Sequence, residues 1–333
     1  MKKKIIFSAM QPSGIITLGN YIGALKNWQT IQNKYNCIYC IADMHALTVK
    51  INPKLLKKII LDNVALYLSC NINPKKSIIF IQSHVKYHSQ LCWILNCFTY
   101  LGELTRMTQF KKKIKNIFNE INLGLLSYPI LMASDILLYQ TKIVPVGKDQ
   151  IQHLELSKKI AKRFNKIYGK NIFNIPEPLL NNGNKIMSLS NPKKKMSKSD
   201  KNLNSFISLL DDPKNIAKKI KRSLTDIDIP PKIYYDIKNK PGISNLLLIL
   251  SNLTGKKISV IEKEFKNKDY SCLKIDVINC ITDTLNDIQH KFYLYRNNED
   301  FLKQVLTYGS KKASQYAKKT IIKVYNTIGL YHL

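Results

Sequence analysis

Short apolar segments alternate with amphipathic ones in the first half of the chain. Residues 5–7, 37–41 and 77–82 have the composition of buried strands. Between the last two lies a segment with apolar residues at helical spacing, with Asn52 as its candidate N-cap and Pro53 at its first helical position. This β-α-β order predicts an α/β fold, in which a Rossmann-like parallel sheet is covered by helices.

The pattern changes after residue 203, where helical periodicity continues without a convincing strand. The predicted helices cover residues 213–224, with Asp212 as the cap, and residues 243–253, 273–296 and 299–328. We therefore predict a Rossmann-like catalytic domain over residues 1–203 and an all-helical domain over residues 204–295. A C-terminal helix within residues 296–333 is expected to pack back on the first domain.

Charge is the most unusual feature of the composition. The 333 residues carry a formal net charge of +31, which suits a polyanionic partner such as RNA. Only four of the 53 basic residues are arginines, and the chain is also rich in Ile and Asn. Because Lys, Ile and Asn have AT-rich codons, genome composition explains the excess as well as an RNA-binding surface does. The charge alone leaves both explanations open.

The cysteines and the N-terminal segment argue against a secreted or membrane protein. Seven cysteines, an odd number, and the lack of a secretory core predict reduced thiols in a cytoplasmic protein. No apolar run reaches the length of a membrane span. Cys37 and Cys40 have the spacing of metal ligands, but on a strand they face opposite sides. We therefore interpret them as buried thiols and predict no metal-ligating residues.

Two short stretches carry the candidate chemistry. The first, PSGIITLGN at residues 12–20, lies between a predicted strand and a predicted helix that starts near Asn20. Gly14 and Gly19 allow a ligand to approach the backbone, and the helix directs free amides outward, so we call this stretch the phosphate cradle. The second, KMSKSD at residues 195–200, would bring two ammonium groups to a polyphosphate. We call it the lysine loop, although by itself it would be interpreted as a solvated loop.

Together the two stretches resemble the signature motifs of class I aminoacyl-tRNA synthetases. With Thr17 and Asn20, the cradle is similar in form to that of the tryptophanyl-tRNA synthetases. Further similar segments are residues 107–111, 128–139 and 144–150, so that the similarity covers nearly the whole chain.

The resemblance implies a specific reaction. ATP would activate tryptophan as tryptophanyl-adenylate with release of pyrophosphate, and tryptophan would then pass to the terminal adenosine of tRNA(Trp). ATP would be a substrate, Mg²⁺ would bind through its phosphates, and the chain would form a homodimer.

The resemblance also implies the residues of the nucleotide site. Its catalytic residues would be Thr17, Asn20, Lys195 and Lys198. Its ATP-binding residues would be Gln11, Pro12, Ser13, Gly19, Asn20, Gly147, Lys148, Asp149, Ile186, Lys195, Met196, Ser197, Lys198 and Ser199. The two loop lysines would neutralise the charge that builds on departing pyrophosphate. One of Lys111, Lys112 and Lys113, preferably Lys113, would also reach the phosphates.

The amino acid site is expected to centre on Asp135. Tyr128, Met132 and Asp135 lie on one face of a predicted helix whose first turn contains Pro129. A carboxylate on a core-facing stripe needs a hydrogen-bond donor, and an indole N–H is only a donor. The resemblance accordingly implies that Asp135 binds the indole. The other residues implied to bind tryptophan are Tyr128, Met132, Gln150, Phe7, His45, Val144 and Val146.

Alternatives remain open from the residues alone. Asp135 would also suit a cap or an ion pair in the core, and His45, Phe7, Val144 and Val146 would suit ordinary packing. The alternative functions are a tyrosine-specific synthetase of the same subclass and a non-catalytic, basic RNA-binding protein.

Overall fold

The strand order of the sheet changes direction between the first and fourth strands. The structure, a computed structural model, describes residues 3–114, 122–147, 150–180, 185–198 and 200–331. Within them, one parallel sheet contains β1 Ile5–Met10, β2 Asn36–Ile41, β3 Ser77–Ile81, β4 Ile143–Val146 and β5 Glu177–Leu180. The order β3-β2-β1-β4-β5 reverses direction at β1. This reversal opens a crevice at the carboxyl ends of β1 and β4, where open α/β sheets bind ligands. The predicted Rossmann-like sheet is confirmed.

Helices cover the sheet and form the rest of the chain. The helices up to residue 203 are α1 Leu18–Asn20, α2 Lys26–Ile31, α3 Asp43–Ala46, α4 Pro53–Ser69, α5 Tyr87–Asn96, α6 Leu101–Thr105, α7 Thr108–Ile114, α8 Leu123–Leu137 and α9 Ile151–Ile167. A π-helical segment, Tyr21–Leu25, joins α1 to α2. The later helices are α10 Pro213–Lys221, α11 Pro241–Thr254, α12 Ile258–Glu264, α13 Tyr270–Arg296 and α14 Glu299–Ile328. No described helix is long and apolar enough to cross a membrane.

Successive side chains along each strand point to opposite faces of the sheet, which divides the core into two layers. Ile6 and Tyr39 join the layer that contains α4 and α13, whereas Phe7 and Phe80 join the layer that contains α8 and α9. Cys37 and Cys40 fall into different layers as free, buried thiols, as the strand geometry predicts. The first layer continues without a break into α10, α11 and α13, so the sheet and the helical part share one core.

Two predicted helix starts are confirmed by their caps. The Asn52 side chain accepts from the Lys54 and Leu55 amides at 2.9 and 3.2 Å and begins α4 at Pro53. Asp212 accepts from the Asn215 amide at 2.8 Å and begins α10 at the following proline. In both helices a capping acceptor followed by proline was a sufficient signal.

Other predicted boundaries are wrong. α8 begins at Leu123, because the Asn122 side chain caps the Leu125 amide at 2.9 Å, and Pro129 lies inside the helix. A proline there cannot donate to the Leu125 carbonyl and crowds it, but it does not mark the first turn of this helix. The predicted helix of residues 213–224 ends at Lys221, since the Leu224 amide donates instead to the Leu189 carbonyl at 2.9 Å.

α14 covers the edge of the sheet. Its first half contributes Leu302 and Leu306 to one core layer, and its second half contributes Ala313 and Ala317 to the other. Between them, Gly309 lies directly on β3, so that a Cβ there would come within 1.8 Å of the Ile79 carbonyl oxygen. The helix thereby shields an edge strand that would otherwise present free backbone groups.

We expect Gly309→Ala to lower the free energy of unfolding by about 2 kcal/mol or more, because the added methyl group must displace the backbone of β3. Urea unfolding would measure the change. Gly102→Ala on α6 is the matched control, since its Cβ would meet only Arg106 at 3.8 Å. Equal stability of Gly309→Ala and the wild type would contradict this close packing of α14 on β3.

Candidate active site

The phosphate cradle is a turn that depends on a glycine and is closed by a reciprocal cap. Gly14 has φ of +116°, a conformation that side-chain-bearing residues rarely adopt. The Thr17 hydroxyl accepts from the Asn20 amide at 3.3 Å, and Asn20 Oδ1 accepts from the Thr17 amide and hydroxyl, each at 3.0 Å. Helical backbone therefore begins at Leu18, earlier than predicted. Thr17 is buried and its hydroxyl is used in the cap, so it shapes the cradle.

The structure brings the lysine loop against the cradle. A Cβ at Gly19 would lie 3.5 Å from Met196 Cβ, and a Cβ at Gly14 would lie 4.0 Å from Lys198 Cδ. Burial lowers the pKa of the Lys198 ammonium. A desolvated cation beside a glycine turn is suited to hold an anion between the two motifs.

The other residues predicted to bind ATP differ in their exposure to solvent, and some lie outside the described residues. Pro12, Ile186 and Met196 are buried, whereas Ser13, Gly147, Lys195 and Ser197 are exposed. Gln11 is half-buried and donates through Nε2 to the His45 carbonyl at 3.2 Å, which joins the cradle to the helix α3 that carries His45. The predicted residues Lys148, Asp149 and Ser199 lie outside the described residues, as do the side chains of Lys112 and Lys113.

Asp135 lies at the centre of a buried hydrogen-bond network. Its side chain is almost fully enclosed on α8, and its two oxygens receive donors from three other parts of the chain. Gln82 Nε2 donates to Oδ1 and Oδ2 at 2.8 and 2.9 Å. His88 Nδ1 lies 2.6 Å from Oδ1, and His45 Nε2 lies 3.0 Å from Oδ2. Three donor atoms therefore make four contacts with a carboxylate that offers about four acceptor positions, with Gln82 Nε2 shared between the two oxygens.

The network keeps the carboxylate ionised. Burial raises the pKa of Asp135, but hydrogen bonds and charge interactions with His45 and His88 hold the pKa well below its ordinary value. Because an ionised carboxylate cannot donate, His88 Nδ1 carries a proton, and His88 Nε2 faces the Tyr139 hydroxyl at 2.8 Å.

Further bonds fix the donors themselves. Gln82 Oε1 accepts from the Met44 amide at 3.1 Å, so its NH₂ group must face Asp135. The Ser134 hydroxyl donates to the His88 carbonyl at 2.7 Å. The arrangement is therefore rigid and is supported from both sides of the carboxylate.

The other residues predicted to bind tryptophan differ in how directly they contact this network. His45 and Tyr128 meet edge to face, with ring centroids 6.4 Å apart, and the Tyr128 hydroxyl lies 2.8 Å from His153 Nε2. Phe7 stacks on Tyr139 with 5.4 Å between ring centroids. The others occupy positions that a pocket wall and ordinary packing would both explain: Met132 and Gln150 are half-buried, and Val144 and Val146 are buried.

Comparison with known proteins decides the family. The family described as tRNA synthetases class I (W and Y) matches residues 1–286. The Tryptophan--tRNA ligase of Wigglesworthia glossinidia brevipalpis is 60% identical over 332 residues, which is 99% of each chain. The chain belongs to the class I tryptophanyl-tRNA synthetases.

Solved synthetases have the same fold. Tryptophanyl-tRNA synthetase from Mycoplasma pneumoniae superposes with a TM-score of 0.90 at 36% identity, over 99% of both chains. The Campylobacter jejuni tryptophanyl-tRNA synthetase, solved with ADP and tryptophan, gives a TM-score of 0.81 at 32% identity, over 98% of this chain and 100% of that one. The family membership and fold that the motifs suggested are thus confirmed for this synthetase.

Gln82, His88 and Tyr139 were not predicted from the sequence of this synthetase. Gln82 directly follows β3, at the carboxyl edge where ligands gather, so its position was an available signal. His88 and Tyr139 lie on or beside helices, and their contact joins residues that are distant in sequence. Only the folded chain shows that they support Asp135.

Asp135 should make the stability of the synthetase sensitive to acid. Its folded pKa lies below the unfolded value, so its stabilising contribution is present above about pH 4 and is lost as the pH falls below it. When the pH is lowered from 5 to 3, the free energy of unfolding should fall in both proteins. The fall should be about 1 kcal/mol smaller for Asp135→Asn than for the wild type, because the variant has no carboxylate with an ordinary pKa of 3.8 to protonate on unfolding.

Urea unfolding at the two pH values measures this difference. Asp300→Asn, which removes an exposed carboxylate from α14, should show the same acid loss as the wild type. Identical acid loss in Asp135→Asn and Asp300→Asn would argue against an ionised, hydrogen-bonded Asp135.

Proposed function

We propose that the chain is a tryptophan–tRNA ligase. The tryptophan carboxylate attacks the α-phosphorus of ATP, pyrophosphate leaves, and the terminal adenosine hydroxyl of the tRNA then displaces AMP from tryptophanyl-adenylate. The observation that carries the proposal is the contact of the lysine loop with the phosphate cradle, next to a buried acceptor at Asp135. The identity of 60% to a Tryptophan--tRNA ligase over almost the entire chain supports the same reaction.

In the proposed mechanism the protein acts by position and electrostatics. The triphosphate lies between the cradle and the lysine loop, where Gly14 and Gly19 admit it close to the backbone. Lys195 and Lys198 balance the negative charge that develops on departing pyrophosphate. The pKa of Lys198, lowered by burial, would rise when the anion binds beside it. No protein nucleophile or general base is needed.

Mg²⁺ is proposed to be held mainly by the phosphates of ATP. The described residues contain no group of three His, Cys, Asp or Glu side chains that could hold a metal ion. The charged side chains assigned to the proposed phosphate site are those of Lys195 and Lys198. Their ammonium groups repel a bare cation but attract a magnesium-bound polyphosphate, which keeps a net negative charge. Bound in this way, Mg²⁺ would neutralise phosphate charge during transfer.

Asp135 is proposed to recognise the indole N–H. Since three donor atoms already surround this enclosed carboxylate, an indole N–H would take the place of an existing donor. His45 is the donor nearest the solvent, with 13% of its side chain exposed against none for His88. We therefore propose that tryptophan displaces the His45 contact, while Gln82 and His88 continue to hold the carboxylate.

The remaining parts of the proposal concern the partners. Residues 204–295 would bind the anticodon region of the tRNA, with the Rossmann-like domain of residues 1–203 as the catalytic part and residues 296–333 returning to it. The high positive charge of the chain favours an RNA partner. A homodimer and a cytoplasmic location complete the proposal, since tRNA is charged where ribosomes use it.

Tryptophan-dependent exchange of pyrophosphate into ATP tests the reaction. We expect exchange with tryptophan and Mg²⁺, and at least about a thousandfold lower kcat/KM with tyrosine, because a polar site rejects a side chain it cannot match. Asp135→Asn should raise the KM for tryptophan about tenfold or more and change kcat less. Asp300→Asn should behave as the wild type. An absence of exchange, or preference for tyrosine, would refute the proposed activity.

Lys198→Ala tests the phosphate contact separately from RNA binding. Removing the ammonium should lower kcat for adenylate formation about a hundredfold or more, while salt-dependent binding of tRNA stays within about twofold. Lys193→Ala, which removes an exposed lysine just before the lysine loop, is the matched control and should retain activity. Equal activity of the two variants would exclude a role for Lys198 in the phosphate site.

A further inference from the structure

The hairpin that carries the lysine loop leaves the backbone N–H and C=O of Met187 without partners in the hairpin. Met187 and Lys195 form an antiparallel bridge, flanked by backbone hydrogen bonds of 2.8 and 3.0 Å between the neighbouring residues. In this arrangement the N–H and C=O of Met187 point away from the opposite strand. Both groups therefore need partners outside the hairpin.

Asn245 on α11 supplies both partners. Its Oδ1 accepts from the Met187 amide at 2.8 Å, and its Nδ2 donates to the Met187 carbonyl at 3.0 Å. The side chain amide takes the place that a further strand would occupy. Asn245 is only 3% exposed, so water does not compete for these bonds. The position of the hairpin is consequently set by a residue of the helical part of the chain.

The same helix is also joined to the cradle side of the site. Lys26 on α2, shortly after the cradle, donates through Nζ to the carbonyls of Asn252 and Leu253 at the end of α11. A cation is favourable there, because the last carbonyls of a helix lack partners within the helix and carry partial negative charge. Both halves of the nucleotide site are therefore attached to α11.

We propose that Asn245 is a positioning residue for adenylate formation, an inference that rests on the proposed function. In this proposal Asn245 does not contact the substrate. It holds Met187, and Met187 is the residue that pairs with Lys195 across the hairpin. Without the amide, two peptide groups lose their partners and the lysine loop shifts relative to the cradle. A displacement of about 1 Å at a reacting group is enough to reduce a rate about a hundredfold.

Two variants remove the contact in different ways. Asn245→Ala deletes both bonds, whereas Asn245→Asp keeps the shape and the acceptor but sets an oxygen against the Met187 carbonyl. Asn252→Ala is the matched control on the same helix: its Nδ2 donates to the Leu248 carbonyl at 2.8 Å, within α11, and the contact with Lys26 uses the main-chain carbonyl, which the substitution keeps. Pyrophosphate exchange with varied ATP and tryptophan, calorimetric binding of ATP and thermal melting are measured for each variant.

We expect both Asn245 variants to lower kcat/KM for ATP about tenfold or more, with the KM for tryptophan within about twofold of the wild type and Asn252→Ala unchanged. The inference would be overturned if kcat/KM for ATP were unchanged, or if Asn252→Ala lowered it equally. It would also be overturned if kcat/KM fell in parallel for ATP and tryptophan together with a lower melting temperature. A wild-type chain that lacks exchange contradicts the proposed function instead, and ATP binding by calorimetry would still test the role of Asn245.

Discussion

The amino acid side of the site depends on one buried, ionised carboxylate. Burying the charge of Asp135 is costly, and donors from the segments after β2 and β3 and from α5 offset that cost. Each donor comes from a different element, so the carboxylate also fixes how these elements lie relative to α8. Gln82 and His88 are themselves held by Met44 and Ser134. The proposed recognition site and the local packing therefore share the same hydrogen bonds.

The nucleotide side depends on contacts between distant segments of the chain. The reversal of strand order at β1 opens the crevice, but it does not bring the lysine loop to it. That loop is carried on a hairpin attached to α11, and α11 is attached to α2 beside the cradle. Residues of the hairpin and of the cradle also pack into the same hydrophobic core as the helical part of the chain.

Local signals explain which elements were predictable. Asn52 and Asp212 each cap a helix whose next residue is proline, and both helices begin where that pattern predicts. The prediction that Pro129 lies in the first turn of its helix is wrong, because this helix continues through a proline that leaves the Leu125 carbonyl without its usual donor. The end of α10 was misplaced because the Leu224 amide finds a partner in Leu189, far away in sequence. Errors thus arose where a tertiary contact, or an alternative use of the same residue, overrode the local preference.

The sequence by itself determined the family, the parallel sheet and the two nucleotide motifs, because these follow from short-range pattern and residue chemistry. It also marked Asp135 as a carboxylate in need of a donor. Only the tertiary structure decided which donors it has, that Gly309 lies on the backbone of β3, and that Asn245 bonds to Met187 in the hairpin that carries the lysine loop. Hydrogen bonds and close packing of this kind join residues far apart in the chain, and their partners are selected by the three-dimensional arrangement of the elements.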